Sequence, residues 1–271
     1  METLPINSFS KLCGIDSSKL RYWDEMGVFS PLFRNPETNY RYYSVLQLLQ
    51  LNIVITLTVM KVPLKIIAEL SEERTPDYLL MLFEKQERIL EMEMDYIRQR
   101  YSVIRTRREL INQGIRANTD SIRVMYKDEK PILLWSKNEY DEDSTFLEPL
   151  VKKTACASDY HINLNYPIGG YYENSDTFIY TPNRPCRFFS LDPLGHQKMK
   201  AGKYLVGYSR GKYYEFGDLP ERLMNYAKEN ALTLTGPVYI QYLFDELCTT
   251  EPDEYLAQCS IAISNRKNRL H

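Results

Sequence analysis

From Asp77 to Gln113 the chain contains neither proline nor glycine, and one helix is the simplest structure that can run through it. Phe83, Leu90, Ile97, Ile104 and Ile111 recur every seven residues, with Met94 and Tyr101 four residues after Leu90 and Ile97. Glu87 and Arg108 interrupt this second column at either end, while Leu82, Ile89, Tyr96, Val103 and Leu110 widen the stripe. The pattern is an a/d seam of about four heptads, as in a coiled coil. Thr75 and Pro76 suit a helix start, a capping hydroxyl followed by proline at the first helical position. Gly114 and then Ala117, Asn118 and Thr119 suit its end. A helix of about 39 residues would be roughly 58 Å long at ~1.5 Å per residue, more than one small domain covers. A single amphipathic helix folded back on its own domain remains the alternative. At 271 residues there is room for a compact domain on each side.

Before this segment, residues 6–43 read as a short helix, a glycine turn, a second helix and a hairpin. Phe9, Leu12 and Cys13 form an apolar face, and Gly14 can take the positive φ of a tight turn. Asp16 or Ser17 is a natural N-cap for a helix to about Glu25, with Leu20, Trp23 and Met26 inward. Ser17, Ser18, Lys19, Arg21 and Tyr22 fall on its other face, a set of donors and cations suited to a major groove. Two short strands follow around residues 35–39, with Arg34 and Arg41 on the arms, a plausible wing against phosphates. On pattern alone, a helical hairpin that never meets nucleic acid stays equally open.

The run LRYWDEMGVFSP followed by NYRYYS resembles the winged helix-turn-helix of the MerR family, and the similarity continues through the apolar residues 45–57 and Val62, Pro63 and Leu64. It covers roughly residues 4–71. The resemblance implies a winged helix-turn-helix head over residues 1–74, read as all-α apart from its wing. It also implies a dimerisation helix and linker over 75–118, paired antiparallel in a homodimer. Lys19 and Arg21 would reach base edges or phosphates. Ser17, Ser18, Tyr22, Arg34, Asn39, Arg41 and Tyr42 would complete the contacts with double-stranded promoter DNA. The family's mode of action further implies a pseudo-palindromic operator in an overlong promoter spacer, distorted for RNA polymerase.

After Asp120 the periodicity changes. Strands are expected over residues 122–126, 132–135, 162–172, 178–180, 187–191, 202–208, 238–247 and 255–264, with helices over 144–157 and from Asp218 to about Glu229. Strand, helix, strand, strand appearing twice predicts an α+β domain with internal pseudo-symmetry. Gly202, Lys203 and Tyr204, the Asp218 helix, residues 236–239 and residues 253–256 resemble a GyrI-like effector-binding domain, here 119–271. Fifteen of the 22 tyrosines lie after residue 119; many must pack the sheet, but a cleft of aromatic faces would hold flat, lipophilic and often cationic molecules. Alternation places Val238, Ile240, Tyr242 and Phe244 on one face. The resemblance implies that this face looks into the pocket, with Tyr255 opposite and Tyr166 and Tyr208 completing its walls. The chain departs from the drug-binding pattern in one respect. Where those relatives often carry a buried glutamate it has Ile240, so a counter-charge would have to come from elsewhere, with Asp245 and Glu246 as candidates.

Composition narrows the function classes. The formal charge is −2, and residues 1–74 carry eight Lys and Arg against eight Asp and Glu, so a DNA-binding head must segregate its cations. No run of 18 apolar residues and no signal-peptide pattern is present, so a cytoplasmic protein with no membrane partner is expected. Cys13, Cys156, Cys186, Cys248 and Cys259 are scattered, with no metal-ligand spacing, and neither a metal nor another cofactor is expected. His161, His196 and His271 form no recognisable catalytic arrangement. The expected function is therefore a ligand-responsive transcription activator and not an enzyme. A GyrI-like hydrolase fused to a DNA-binding head and a non-inducible repressor are the rival readings.

Overall fold

The computed structural model describes residues 3–72, 75–156 and 164–264. The chain divides into two compact units, residues 1–97 and 98–271.

In the first unit, strand β1 (Thr3–Pro5) leads into helices α1 (Ile6–Cys13) and α2 (Ser17–Glu25), hairpin strands β2 (Phe33–Arg34) and β3 (Arg41–Ser44), and helices α3 (Gln47–Val59) and α4 (Leu64–Glu72). Gly14 ends α1 at φ 69°, the left-handed conformation that glycine adopts without a Cβ clash. Asp16 caps α2 by accepting from Ser18 N–H at 2.7 Å. Ile6, Phe9, Leu20, Trp23 and Tyr43 pack with Leu51, Val54 and Leu57 of α3 in the core. Two inward assignments are corrected. Leu12 and Met26 are 53% and 43% exposed, because Leu12 falls about 100° off the face shared by Ile6, Phe9 and Cys13, and Met26 is the C-cap beyond the last turn of α2. The head is also not all-α beyond its hairpin: β1 pairs with β3, giving a three-stranded sheet in the order β1-β3-β2.

Helix α5 (Pro76–Ile115) runs for 40 residues, and Thr75 Oγ1 accepts from Tyr78 N–H at 3.2 Å at its start. Leu82 is buried in the first unit's core and Leu110 in the second's. Between them Leu90, Met94, Ile97, Tyr101 and Ile104, members of the heptad columns, are 39–65% exposed.

The second unit holds β4 (Arg123–Lys127), β5 (Lys130–Leu134), α6 (Leu147–Ala155), β6 (Ile168–Tyr172), α7 (Ser175–Tyr180), β7 (Arg187–Ser190), β8 (Gln197–Met199), β9 (Gly202–Arg210), α8 (Leu219–Glu229), β10 (Thr233–Phe244) and β11 (Leu256–Ser264). They form one antiparallel sheet in the order β4-β9-β11-β10-β6-β7-β5-β8. The expected repeat is visible in this order. The succession β9, α8, β10, β11 lies in the sheet as β9-β11-β10, while β5, α6, β6, β7 lies as β5-β7-β6, and β10 pairs with β6 where the halves meet.

The sheet has two differently clothed faces. On one, Leu219, Leu223 and Ala227 of α8 bury Leu205, Val238, Ile240, Cys259 and Ile261. The other carries Tyr204, Val206, Tyr208, Tyr239, Leu243 and Leu256 and receives Leu110. A Cβ at Gly114 would sit 2.5 Å from Phe244 Cε1, so glycine lets the end of α5 lie against that ring.

Two expectations change here, and one strand is added. Residues 178–180 belong to helix α7, whose Asn174 cap accepts from Thr177 N–H at 2.8 Å, so local capping overrides the β-forming composition. Strand β8 has no sequence signature beyond its pairing with β5. Phe244 does not share the face of Val238, Ile240 and Tyr242. A β-bulge sets Tyr242 opposite Ala257 but Phe244 opposite Leu256, and Phe244 packs with Leu243 on the other side. The predicted strand start at 162 and helix end at 157, like His161 and His271, lie outside the described residues.

Candidate functional sites

Helix α2 presents Ser18, Lys19, Arg21 and Tyr22 to solvent, with Ser17 half-buried at its first turn. The Ser18 hydroxyl and backbone bonds to Asp16 hold its carboxyl below the usual aspartate value, so the cap is an anion at neutral pH. The Lys19 ammonium lies 4.9 Å from the Trp23 ring centroid, which steadies its stem on the exposed side of the helix.

The hairpin is positioned by a residue the sequence reading did not single out. Asp24 on α2 is buried, and its Oδ2 accepts from Arg34 Nη2 at 2.7 Å and Arg41 Nε at 2.6 Å. Arg34 and Arg41 are opposite one another in the β2–β3 register, so one carboxylate ties both arms of the hairpin to the helix. The expectation that both arginines are free to grip phosphates is therefore modified: the Arg34 side chain is 42% exposed, but Arg41 is 18% exposed. An acid inside a helix, followed by arginines flanking a turn, was the available signal.

Asn39 sits at φ 56° in the turn, donating to the Asn35 carbonyl at 2.8 Å, while Asn35 Oδ1 receives Glu37 and Thr38 N–H. Tyr42 stacks on exposed Phe33 with centroids 5.0 Å apart. Exposed Tyr40, also missed, accepts from Asn7 Nδ2 at 3.3 Å. Behind the wing, Tyr43 is buried between Phe9 and Phe29, and burial pushes its phenol up to about 12.

In the second unit a cavity of about 220 Å³ opens beside the end of β10, walled by Tyr166, Tyr213, Tyr214, Tyr242 and Phe146. Tyr213 meets Tyr242 edge-on at 4.4 Å and Tyr255 at 5.0 Å, and Phe146 lies 4.5 Å from Tyr214. Tyr214 has φ 62°, an unusual backbone state for a bulky residue, and its N–H donates to the Tyr242 hydroxyl at 2.6 Å. At the rim Asp245 forms an ion pair with Arg107 of α5, and Tyr213 OH donates to Glu246 Oε2 at 2.6 Å. Burial, reinforced by the adjacent Glu246, raises the Tyr213 phenol well above its ordinary value and keeps it a donor.

Of the six residues expected to hold a ligand, Tyr166 and Tyr242 line this cavity and Tyr255 backs it through Tyr213. Ile240 is buried beneath it in the helix-covered core. Tyr208 and Phe244 pack on the opposite face, because even-numbered β9 residues point away and the bulge turns Phe244 over. Asp245 and Glu246 both line the cavity, held by Arg107 and Tyr213. Arg107, Tyr213 and Tyr214 were not anticipated; the two adjacent tyrosines in a glycine-bounded loop were the readable clue.

Among the described residues no group of three His, Cys, Asp or Glu side chains could hold a metal, and no helix is long and apolar enough to cross a membrane.

A cationic helix face fixed to a hairpin through a buried acid fits a helix-turn-helix head. Residues 4–74 match the family described as MerR HTH family regulatory protein. It is 24% identical over 244 residues to the multidrug-efflux transporter 2 regulator of Bacillus subtilis (strain 168), covering 88% of each chain. It is 22% identical over 279 residues to the multidrug-efflux transporter 1 regulator of the same organism, covering 96% of this chain and 97% of that one. Among solved structures it is similar to the EcmrR–DNA complex in EcmrR-RPo, at 15% identity and a TM-score of 0.40, covering 97% of this chain and all (100%) of that chain.

Proposed function

We propose that the chain is a ligand-responsive activator with three parts. Residues 1–74 bind a pseudo-palindromic promoter operator as a winged helix-turn-helix, 75–118 pair antiparallel in a homodimer, and 119–271 form a GyrI-like domain that binds a lipophilic aromatic cation. The pairing of Asp245, in the wall of the aromatic cavity, with Arg107 on α5 carries this reading. A cation seated against the tyrosines competes with Arg107 for Asp245, so occupancy and the state of the long helix are energetically linked. The uncovered heptad residues of α5 supply the apolar seam that a second copy would bury. The names of the two Bacillus regulators support an effector of drug-like character and a target promoter serving an efflux transporter.

In this scheme Arg21 and Lys19 meet the groove, Ser17, Ser18, Tyr22, Asn39 and Tyr42 position the head, and Arg34 reaches phosphate while Arg41 stays on Asp24. Bending the operator costs on the order of 1–6 kcal/mol, so the effector must favour the distorting state by a differential affinity before RNA polymerase can use the promoter.

The test has two arms. Arg21→Ala should weaken operator binding about tenfold and reduce the salt slope by about 1; unchanged affinity and slope would remove the recognition-helix assignment. Arg107→Met should still bind tetraphenylphosphonium but uncouple it from in vitro transcription. A normal response in that variant would remove the linkage through α5.

A further inference from the structure

The face of the sheet away from the aromatic cavity contains a second cavity, of about 340 Å³, with the opposite charge. Lys127 of β4 lies in its wall, and its ammonium donates to Gln258 Oε1 at 2.5 Å and Ser260 Oγ at 2.6 Å, both neutral acceptors on β11. Gln258 donates onward to the Tyr208 hydroxyl at 3.3 Å, and Arg123 approaches the same hydroxyl at 3.5 Å. Arg116, following α5, brings a further cation to the lining. The one acidic residue in the lining, Asp128, forms no ion pair with Lys127, Arg123 or Arg116 among the described residues, and none of the three cations is salt-bridged to any other carboxylate there. Met125, Met199, Tyr126 and Tyr208 supply flat and polarizable surface between the charges.

This is a built polar site that lacks its counter-charge. An enclosed ammonium held by neutral groups is costly unless an anion completes it. Lys127 has used two of its three donors on the sheet, which leaves one for a ligand. Enclosure, with Lys130 nearby adding like charge, pulls its pKa down to about 8.

We infer that this cavity is a second small-molecule site, separate from the aromatic cation pocket, which takes an aryl carboxylate on Lys127 with Arg123 closing over it. The carboxylate meets the free ammonium donor and the Arg123 guanidinium, and the ring lies along the methionine and tyrosine surface. The two faces of one sheet thus bind ligands of opposite sign. The inference does not depend on how the head reads DNA.

Salicylate titrated calorimetrically into the full chain tests it, with benzyl alcohol as the uncharged control. Saturable one-to-one binding of salicylate, without binding of benzyl alcohol, is expected. Lys127→Met should weaken salicylate about tenfold, the loss of one charge-assisted bond, and the exposed Arg123→Gln about threefold. Both variants should bind tetraphenylphosphonium as the parent does. Equal salicylate affinity in parent and both variants, displacement of salicylate by tetraphenylphosphonium, or no saturable binding at millimolar salicylate would each overturn the proposal. Arg123→Gln keeps the test decisive should Lys127→Met fold poorly.

Discussion

In the head, the buried charge is Asp24, whose Oδ2 meets two guanidinium groups. On the sensor sheet, the enclosed charge is Lys127, surrounded by an amide, a hydroxyl and no carboxylate partner among the described residues. Both sit in walls of secondary structure and both join elements distant in sequence. The first is satisfied from within the fold, so it fixes the angle between α2 and the hairpin. The second has no carboxylate partner among the described residues, and on the inference above that shortfall is what would draw an anion into the cavity. A charge answered inside the protein shapes the fold; one left unanswered shapes what the fold can bind.

The largest expected effect comes from breaking the answered charge. Asp24→Ala leaves Arg41 enclosed without its partner and should cost the head about 3 kcal/mol, with operator binding lost. Chemical denaturation followed by Trp23 fluorescence measures it, and a loss no larger than a surface pair's would make Asp24 an ordinary residue. Arg107→Met is intermediate. The Arg107 and Asp245 side chains are 26% and 12% exposed, between surface and interior, so about 1.5 kcal/mol is expected from urea unfolding of the sensor. Lys127→Met should have the opposite sign, stabilising the sensor by about 1 kcal/mol at pH 7, because an unanswered cation is replaced by an apolar side chain of similar length.

The same residue also carries a pH signature. The folded pKa of Lys127, about 8, lies below its ordinary 10.5. Between these values the unfolded chain binds more protons, so the penalty is fully present below about pH 8 and fades as pH rises toward 10.5. Subtracting the Lys127→Met profile from the parent's isolates that slope; a flat difference would mean that the ammonium is effectively solvated.

The head was readable because its signals are local. The Asp16 cap, the Gly14 turn and the Arg34 and Arg41 arms all lie within a few residues of the structure they determine, and even Asp24 acts within 17 positions. The repeat in the sensor was also readable as a succession of elements. Its site was readable only in part: Tyr166 and Tyr242 were named through the family resemblance, but Tyr213 joins them from a loop distant in sequence and Arg107 meets Asp245 across 138 positions. Helix α7 was misread for a different reason: Phe178, Ile179 and Tyr180 have strand-like composition, but Asn174 begins a helix before that preference can act.

The irregularity after Tyr242 has a consequence for how this strand can vary. Strict alternation would carry Asp245 to the far side, away from the cavity tyrosines. Placing Leu243 and Phe244 on the same side resets the phase by one position, and the aspartate comes out at the cavity instead. Deleting either Leu243 or Phe244 would restore strict alternation and leave Asp245 on the Tyr242 side, so the carboxylate rim tolerates loss of the extra residue, whereas straightening the strand at its present length would turn it away.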